Sequence, residues 1–183
     1  MKTRKLPAFL LVFLLVFLLA VGCLPGALAA PTAVEAGEPA YDFTVTLLDG
    51  SPFTLSDYRG QVVFVNVWVS WCGDCMGELP VLQRMAEDYP DTLVILGVNY
   101  GEDLQSVQNT VTGYGLTYPN VTDETYSLIR YVFPTQILPY TVVIDPAGVV
   151  SSIAAGARPY DEFVSLYQEA LANQPDPQTD DIP

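Results

Sequence analysis

Histidine is absent from this sequence of 183 residues, and cysteine is scarce. The three cysteines are Cys23, Cys72 and Cys75. A structural zinc site needs four nitrogen or sulfur ligands, and a copper site of the cysteine-histidine kind needs imidazole, so the composition argues against both. Covalent haem attachment requires a histidine directly after a Cys-x-x-Cys pair, whereas Met76 follows Cys75. We therefore expect no metal site and no bound cofactor.

Positive charge is also scarce, with seven lysines and arginines against 21 acidic residues. Three of the seven cations lie within the first five residues. The rest of the chain then carries four arginines against 21 carboxylates, a net charge of −17. Such a polyanion repels nucleic acid phosphates and anionic lipid headgroups. We expect no nucleic acid partner, and we interpret the excess charge as a solvated acidic surface.

The first 23 residues have the pattern of an export leader. Basic residues at positions 2, 4 and 5 precede an apolar run from Leu6 to Val21, as in secretory signals. Three alternatives stay open for its processing. Cys23 follows Ala20-Val21-Gly22 and resembles a lipidated lipobox cysteine, residues 27–29 suit ordinary signal cleavage, and the uncleaved stretch is long enough to span a bilayer. In the first and third cases the domain is held at the outer face of the bacterial cell membrane.

Four regions follow from composition along the chain. Residues 1–23 are the leader, residues 24–38 form a flexible linker rich in Ala, Pro, Gly and Glu, and residues 173–183 form an acidic, disordered tail. Residues 39–172 between them alternate strand and helix patterns, which predicts one α/β domain with a central mixed β-sheet flanked by helices. The predicted elements are a hairpin over 43–55, strands over 62–69, 93–98, 140–144 and 149–154, and helices over 73–89, 103–113, 123–132 and 160–172.

The second and third cysteines lie in Trp71-Cys72-Gly73-Asp74-Cys75, between a buried strand and a helix. A loop closed by two intervening residues is too short for a disulfide to contribute much entropic stabilisation, so this pair points to chemistry. Free N–H groups and the helix dipole at the helix start favour the thiolate of Cys72. We expect Cys72 to attack and Cys75, one turn further, to resolve the mixed disulfide. Negative charge on Asp74 disfavours the thiolate and makes the dithiol more reducing.

Several motifs together resemble the TlpA/ResA branch of the thioredoxin-like proteins. The matching segments are 41–44, 55–60, 64–68, 71–75, 78–80 and 138–145. The resemblance covers about residues 39–172 and implies a thioredoxin-like fold with an N-terminal β-hairpin and a central insertion, which residues 99–122 fit. It also implies membrane-tethered reduction of thiols outside the cytoplasm, often in cytochrome c maturation.

The resemblance implies further site residues. Pro139 matches the family's cis-proline that faces the disulfide, and the backbone of Leu138 would pair with a substrate segment there. Glu78 matches a position next to the resolving cysteine, where it could accept a proton; it could also merely complement the helix dipole. We expect the substrate to contact Trp71, Gly73, Asp74, Leu138 and Pro139.

Taken together, these features predict a thiol-disulfide oxidoreductase that reduces protein disulfides through the Cys72–Cys75 pair. We expect a monomer that receives electrons from a transmembrane thiol carrier. Three alternatives remain, and the first is a disulfide oxidant that uses the same cysteine pair. A thiol-dependent peroxidase would resemble the peroxiredoxins, but residues 69–72 lack the threonine of their Thr-x-x-Cys loop. A non-catalytic binding module with this fold would need no reactive pair.

Overall fold

The computed structural model describes residues 34–173. It contains seven strands, four α-helices and one 3-10 helix over Leu55–Tyr58 within that range. The strands are β1 (Thr44–Thr46), β2 (Pro52–Thr54), β3 (Val62–Trp68), β4 (Leu93–Asn99), β5 (Asn120–Thr122), β6 (Tyr140–Ile144) and β7 (Val150–Ala155). The helices are α1 (Gly73–Asp88), α2 (Leu104–Gly113), α3 (Ser127–Tyr131) and α4 (Tyr160–Ala172).

The main sheet has five strands in the order β5-β4-β3-β6-β7. Strand β3 pairs in parallel with β4 and antiparallel with β6, and β4 pairs in parallel with β5. Strands β1 and β2 form a separate antiparallel hairpin, in which Gly50 has a φ of +87° that favours glycine. The mixed sheet and the hairpin are the expected architecture.

Alternation along β3 divides the core into two layers, because successive side chains of a strand point to opposite faces. Phe64 and Trp68 pack on one face with α1 and α4, where Leu79 and Phe163 are also fully buried. Val63, Val65 and Val67 face the other layer, which the hairpin and α3 cover. Asn66 lies at an even position of β3, so its side chain points toward the α1 face.

Two local details differ from the sequence prediction. The segment expected to form a helix over 123–132 is helical only over Ser127–Tyr131, because Tyr126 has a left-handed φ of 57° and its N–H donates to the Asp123 carbonyl at 2.9 Å in a turn. The Asp123 carboxylate accepts hydrogen bonds from the backbone N–H groups of Ser127 at 2.9 Å and Ile129 at 3.0 Å at the start of the shorter helix. Strand β5 was not predicted; it lies inside the segment 99–122, and three residues are too few for a periodic signal.

The start of the domain lies against the last hairpin of the sheet. Gly37 N–H donates to the Val150 carbonyl at 2.8 Å, and Ala40 N–H donates to that of Gly148 at 2.9 Å. No helix within residues 34–173 is long and apolar enough to cross a membrane. The predicted leader, the lipidation site Cys23 and nearly all of the predicted tail lie outside the described residues.

Candidate active site

Cys72 lies at the N-cap of α1, directly after the loop that leaves β3. Its Sγ accepts a hydrogen bond from the Cys75 backbone N–H at 3.1 Å. This sulfur therefore meets the free N–H groups and the positive end of the helix dipole, which both favour a thiolate once the pair is reduced. The side chain is half-buried, so an incoming disulfide can reach it.

Cys75 forms a disulfide with Cys72 and is almost fully buried, with 1% of its surface exposed. It packs in the α1 layer of the core beside Leu79. Trp71, in contrast, is 75% exposed next to Cys72. A half-buried cysteine beside an exposed aromatic ring, with its partner cysteine shielded, suits attack by the first cysteine and resolution by the second.

The Leu138–Pro139 peptide bond is cis, as the resemblance implied. Pro139 directly precedes β6, whose first residue, Tyr140, pairs with Val67 near the end of β3. The cis-proline loop and the Cys72 loop therefore meet at the same edge of the sheet. Leu138 and Cys72 also pack against the same core layer.

Glu78 lies one turn beyond Cys75 and is buried, with 2% exposed. Its two carboxylate oxygens accept hydrogen bonds from the Asn66 amide at 2.8 Å and from the Arg158 backbone N–H at 2.9 Å. Burial nevertheless dominates over these contacts and raises the pKa of Glu78 from 4.5 to about 7. A carboxyl group with such a pKa can accept and return a proton near neutral pH.

The amide of Asn66 joins Glu78 to the cis-proline side of the site. Its Nδ2 also donates to Thr141 Oγ1 at 2.9 Å, and Thr141 belongs to β6. The Asn66 Oδ1 atom is buried with no hydrogen-bond partner in the described structure. Rotation of this amide would present an acceptor to a protonated Glu78, so the pair can accommodate both protonation states.

Sequence reasoning missed a second carboxylate near the site. Glu102 accepts hydrogen bonds from the backbone N–H of Ser70 at 2.7 Å, from its hydroxyl, and from the Asn99 amide at 2.6 Å. Ser70 lies two residues before Cys72, so Glu102 fixes the loop that carries the attacking sulfur. Only the fold brings residues 70 and 102 together, and no spacing pattern in the sequence indicates the contact.

The structure thus gathers most of the predicted site residues. In the chain, Trp71 directly precedes Cys72, and Gly73 and Asp74 lie between the two cysteines. Gly73 and Asp74 are exposed at the start of α1. Leu138 and Pro139 lie at the same sheet edge, and Glu78 is buried below the helix start. The arrangement provides one reachable sulfur, one shielded sulfur and one buried carboxyl group on the same helix. Thiol-disulfide exchange requires an attacking thiolate that the substrate disulfide can reach.

Comparison with known proteins agrees with this chemistry. The AhpC/TSA family model matches residues 36–153. Thiol-disulfide oxidoreductase ResA of Geobacillus kaustophilus is 40% identical over 126 residues, which cover 68% of this chain and 72% of ResA. ResA of Bacillus subtilis is 30% identical over 129 residues, which cover 70% and 72%.

A crystal structure of a thiol:disulfide interchange protein of the thioredoxin family from Chlorobium tepidum superposes with a TM-score of 0.67 at 26% identity, covering 76% of this chain and 99% of that one. The fold is therefore thioredoxin-like, and the expected kind of enzyme is confirmed. The chain belongs to the AhpC/TSA family and is a thiol-disulfide oxidoreductase of the ResA kind, with Cys72 and Cys75 as its redox pair.

Proposed function

We propose that this protein reduces protein disulfides outside the cytoplasm while it is held at the membrane. The observation that carries the proposal is the asymmetry of the redox pair. Cys72 Sγ is half-buried at the start of α1 beside the exposed Trp71, whereas Cys75 is 1% exposed. A large exposed ring next to a reactive sulfur suits a polypeptide substrate, because aromatic side chains are enriched at protein interfaces.

The reaction transfers two electrons from the dithiol to the substrate. The Cys72 thiolate attacks one sulfur of the substrate disulfide and forms a mixed disulfide, and the displaced substrate thiolate takes up a proton. Cys75 then transfers its proton to Glu78 and attacks Cys72 Sγ. This step forms the Cys72–Cys75 disulfide and releases the second substrate thiolate, which is protonated in turn.

The oxidised pair must then be reduced for another turnover. A transmembrane thiol carrier supplies the electrons in this proposal, since nicotinamide-linked reductases act in the cytosol. Lipidation of Cys23 or an uncleaved leader would keep the domain within reach of that carrier. Cytochrome c maturation is the process that the family resemblance implies.

Trapping tests the assigned roles. We expect Cys75→Ser to accumulate a mixed disulfide with a protein substrate, and Cys72→Ser to form none and to lose reductase activity, because only Cys72 lies at the exposed helix start. The measurement is non-reducing electrophoresis with mass spectrometry of the adduct. Faster alkylation of Cys75 than of Cys72 in the reduced protein at neutral pH would contradict the assignment.

The reduction potential of the Cys72–Cys75 pair tests the direction of electron transfer. We expect a value near that of thioredoxin, about −270 mV, by equilibration against glutathione. A potential above about −180 mV, the value for protein disulfide isomerase, would favour an oxidant or isomerase. Rapid consumption of a hydroperoxide by the dithiol would favour the peroxidase alternative. Recovery of the native protein as a fully soluble species would contradict the membrane attachment.

A further inference from the structure

A cleft of about 580 Å³ lies at the edge of the sheet that carries the disulfide. Tyr100 and Tyr126 contribute aromatic rings to its lining, and Pro134, Thr135 and Gln136 also line it. Ile129 and Arg130 complete the lining. Nothing in the exchange chemistry described above uses this cleft.

Two parts of this lining, Tyr100 and the segment over 134–136, lie in the chain close to residues that neighbour the redox pair. Tyr100 directly follows β4, and its N–H donates to the carbonyl of Trp68, the last residue of β3, at 3.0 Å. The segment over 134–136 leads within two residues to Leu138 and the cis-proline. A substrate chain that crosses the cis-proline loop beside Cys72 would therefore continue toward this cleft.

The backbone of Tyr126 has a left-handed conformation, with a φ of 57°. This is a genuine outlier for a bulky side chain, and glycine or asparagine would adopt it at lower free energy. The conformation is held by a hydrogen bond from Tyr126 N–H to the Asp123 carbonyl at 2.9 Å. Strained residues that the surrounding structure holds in place cluster at binding and active sites.

The ring of Tyr126 is also accommodated by its neighbours. Gly101 leaves room for it, because a Cβ there would lie 2.2 Å from a ring atom. The ring meets that of Tyr100 edge to face, with centroids 5.2 Å apart and an interplanar angle of 81°. Tyr126 remains 46% exposed, so much of its ring faces solvent at the cleft. Because its backbone is strained and its ring is exposed, Tyr126 is better suited to provide a contact surface than to stabilise the fold.

Other exposed apolar side chains lie on the loops that carry the disulfide and the cis-proline. Trp71 is 75% exposed beside Cys72, and Ile137 is 56% exposed directly before Leu138. Because exposed apolar groups that gather at one edge mark interaction sites, these side chains extend the recognition surface from the disulfide toward the cleft.

We propose that this cleft binds an aromatic side chain of the protein substrate, two to four residues from the attacked cysteine. Thr135 lies three residues before Leu138 in a bent segment, so the two lie no more than about 10 Å apart, which limits that spacing. Tyr100 and Tyr126 offer ring edges and faces that pair with an aromatic ring. The inference rests on the proposed function, because it names the substrate feature that this reductase recognises.

Peptides with one intramolecular disulfide and a single varied position test the proposal. That position, two to four residues from either cysteine, carries Phe, Leu, Glu or Ala. We expect the wild-type protein to prefer Phe over Ala by about three- to tenfold in kcat/KM, the range for an aromatic pair. Tyr126→Gly should bring this ratio close to one by raising KM, with kcat unchanged.

Two further variants separate recognition from folding. Tyr126→Asn also suits the left-handed backbone and should behave like the glycine variant, with unfolding no easier than in the wild type. Tyr114→Ala is the matched control, because Tyr114 is 43% exposed at the end of α2 and does not line the cleft; it should keep the Phe preference. Alkylation of Cys72 and reduction of a small disulfide should not change in any of them.

Each alternative outcome contradicts a defined statement. The aromatic subsite would be overturned if the wild type showed no Phe preference, or if both Tyr126 variants kept that preference. A preference for Glu, drawn by Arg130, would also overturn it. All three outcomes would leave the reductase proposal intact. Failure of the wild-type dithiol to reduce even the small disulfide would overturn the proposed function, and this inference with it.

Discussion

Replacing Glu78 by glutamine should change how stability depends on pH. Burial raises the pKa of Glu78 in the folded protein to about 7, from an ordinary value of 4.5. Between these two pH values the folded protein holds a proton that the unfolded chain releases. The free energy of unfolding therefore falls as the pH rises from 4.5 to about 7, and the contribution of protonated Glu78 is fully present only below 4.5.

The magnitude follows from that interval. Each pH unit of unequal proton binding is worth about 1.4 kcal/mol, so the interval from 4.5 to about 7 corresponds to about 3 kcal/mol. Glutamine is uncharged and similar in shape to the protonated acid. The Asn66 amide, whose Oδ1 has no partner in the described structure, can rotate to accept its N–H group. Glu78→Gln should thus lack this contribution to the pH dependence.

Urea unfolding of the oxidised protein at several pH values measures the effect. The difference in unfolding free energy between wild type and Glu78→Gln should change by about 3 kcal/mol from pH 4.5 to 7.5, in favour of the variant at the higher pH. Glu87→Gln is the matched control, because Glu87 lies on the same helix and is exposed. The difference in unfolding free energy between wild type and Glu87→Gln should stay nearly constant over this pH range. If the plots of unfolding free energy against pH were parallel for wild type and Glu78→Gln across this range, the reasoning would be refuted.

Two other substitutions test the site and the sheet that supports it. Asp74→Asn should make the Cys72–Cys75 pair easier to reduce, raising its potential by about 20 mV or less because Asp74 is exposed; equilibration with glutathione measures this, and a lower potential would contradict it. Gly97→Ala should destabilise the fold by about 1–3 kcal/mol in urea unfolding, because the new Cβ would lie 2.1 Å from Asn120 Oδ1; an unchanged midpoint would show that the neighbours relax.

Local sequence patterns predicted the elements that carry the redox pair. The β-branched and aromatic run of β3, which only Asn66 interrupts, is buried at all seven positions, as expected for a central strand. The buried residues Leu79, Leu82 and Met85 of α1 are spaced by three residues, as expected for the inward face of a helix. Since a buried strand followed by a helix fixes where the helix begins, the place of Cys72 at the N-cap followed from the sequence.

The environment of Glu78 could not be predicted in the same way. Its hydrogen-bond donors, Asn66 and the backbone of Arg158, are 12 and 80 residues away along the chain. Whether Glu78 is exposed at the helix start or buried below it depends on how β7 and α4 close over α1. The contact of Glu102 with Ser70, over 32 residues, has the same origin. Periodicity reports local structure, whereas these contacts arise from tertiary packing.

The absence of histidine gives the burial of Glu78 a chemical reason. Histidine is the side chain whose ordinary pKa lies near neutrality, and this chain has none. A thiol with a pKa of about 8.5 would lose its proton to an ordinary carboxylate at a cost of about 5 kcal/mol. Transfer to Glu78, with its pKa near 7, costs about 2 kcal/mol. The burial that lowers folding stability at neutral pH thus brings the pKa of this carboxyl group closer to that of an ordinary thiol, as the proposed role of Glu78 in proton transfer requires.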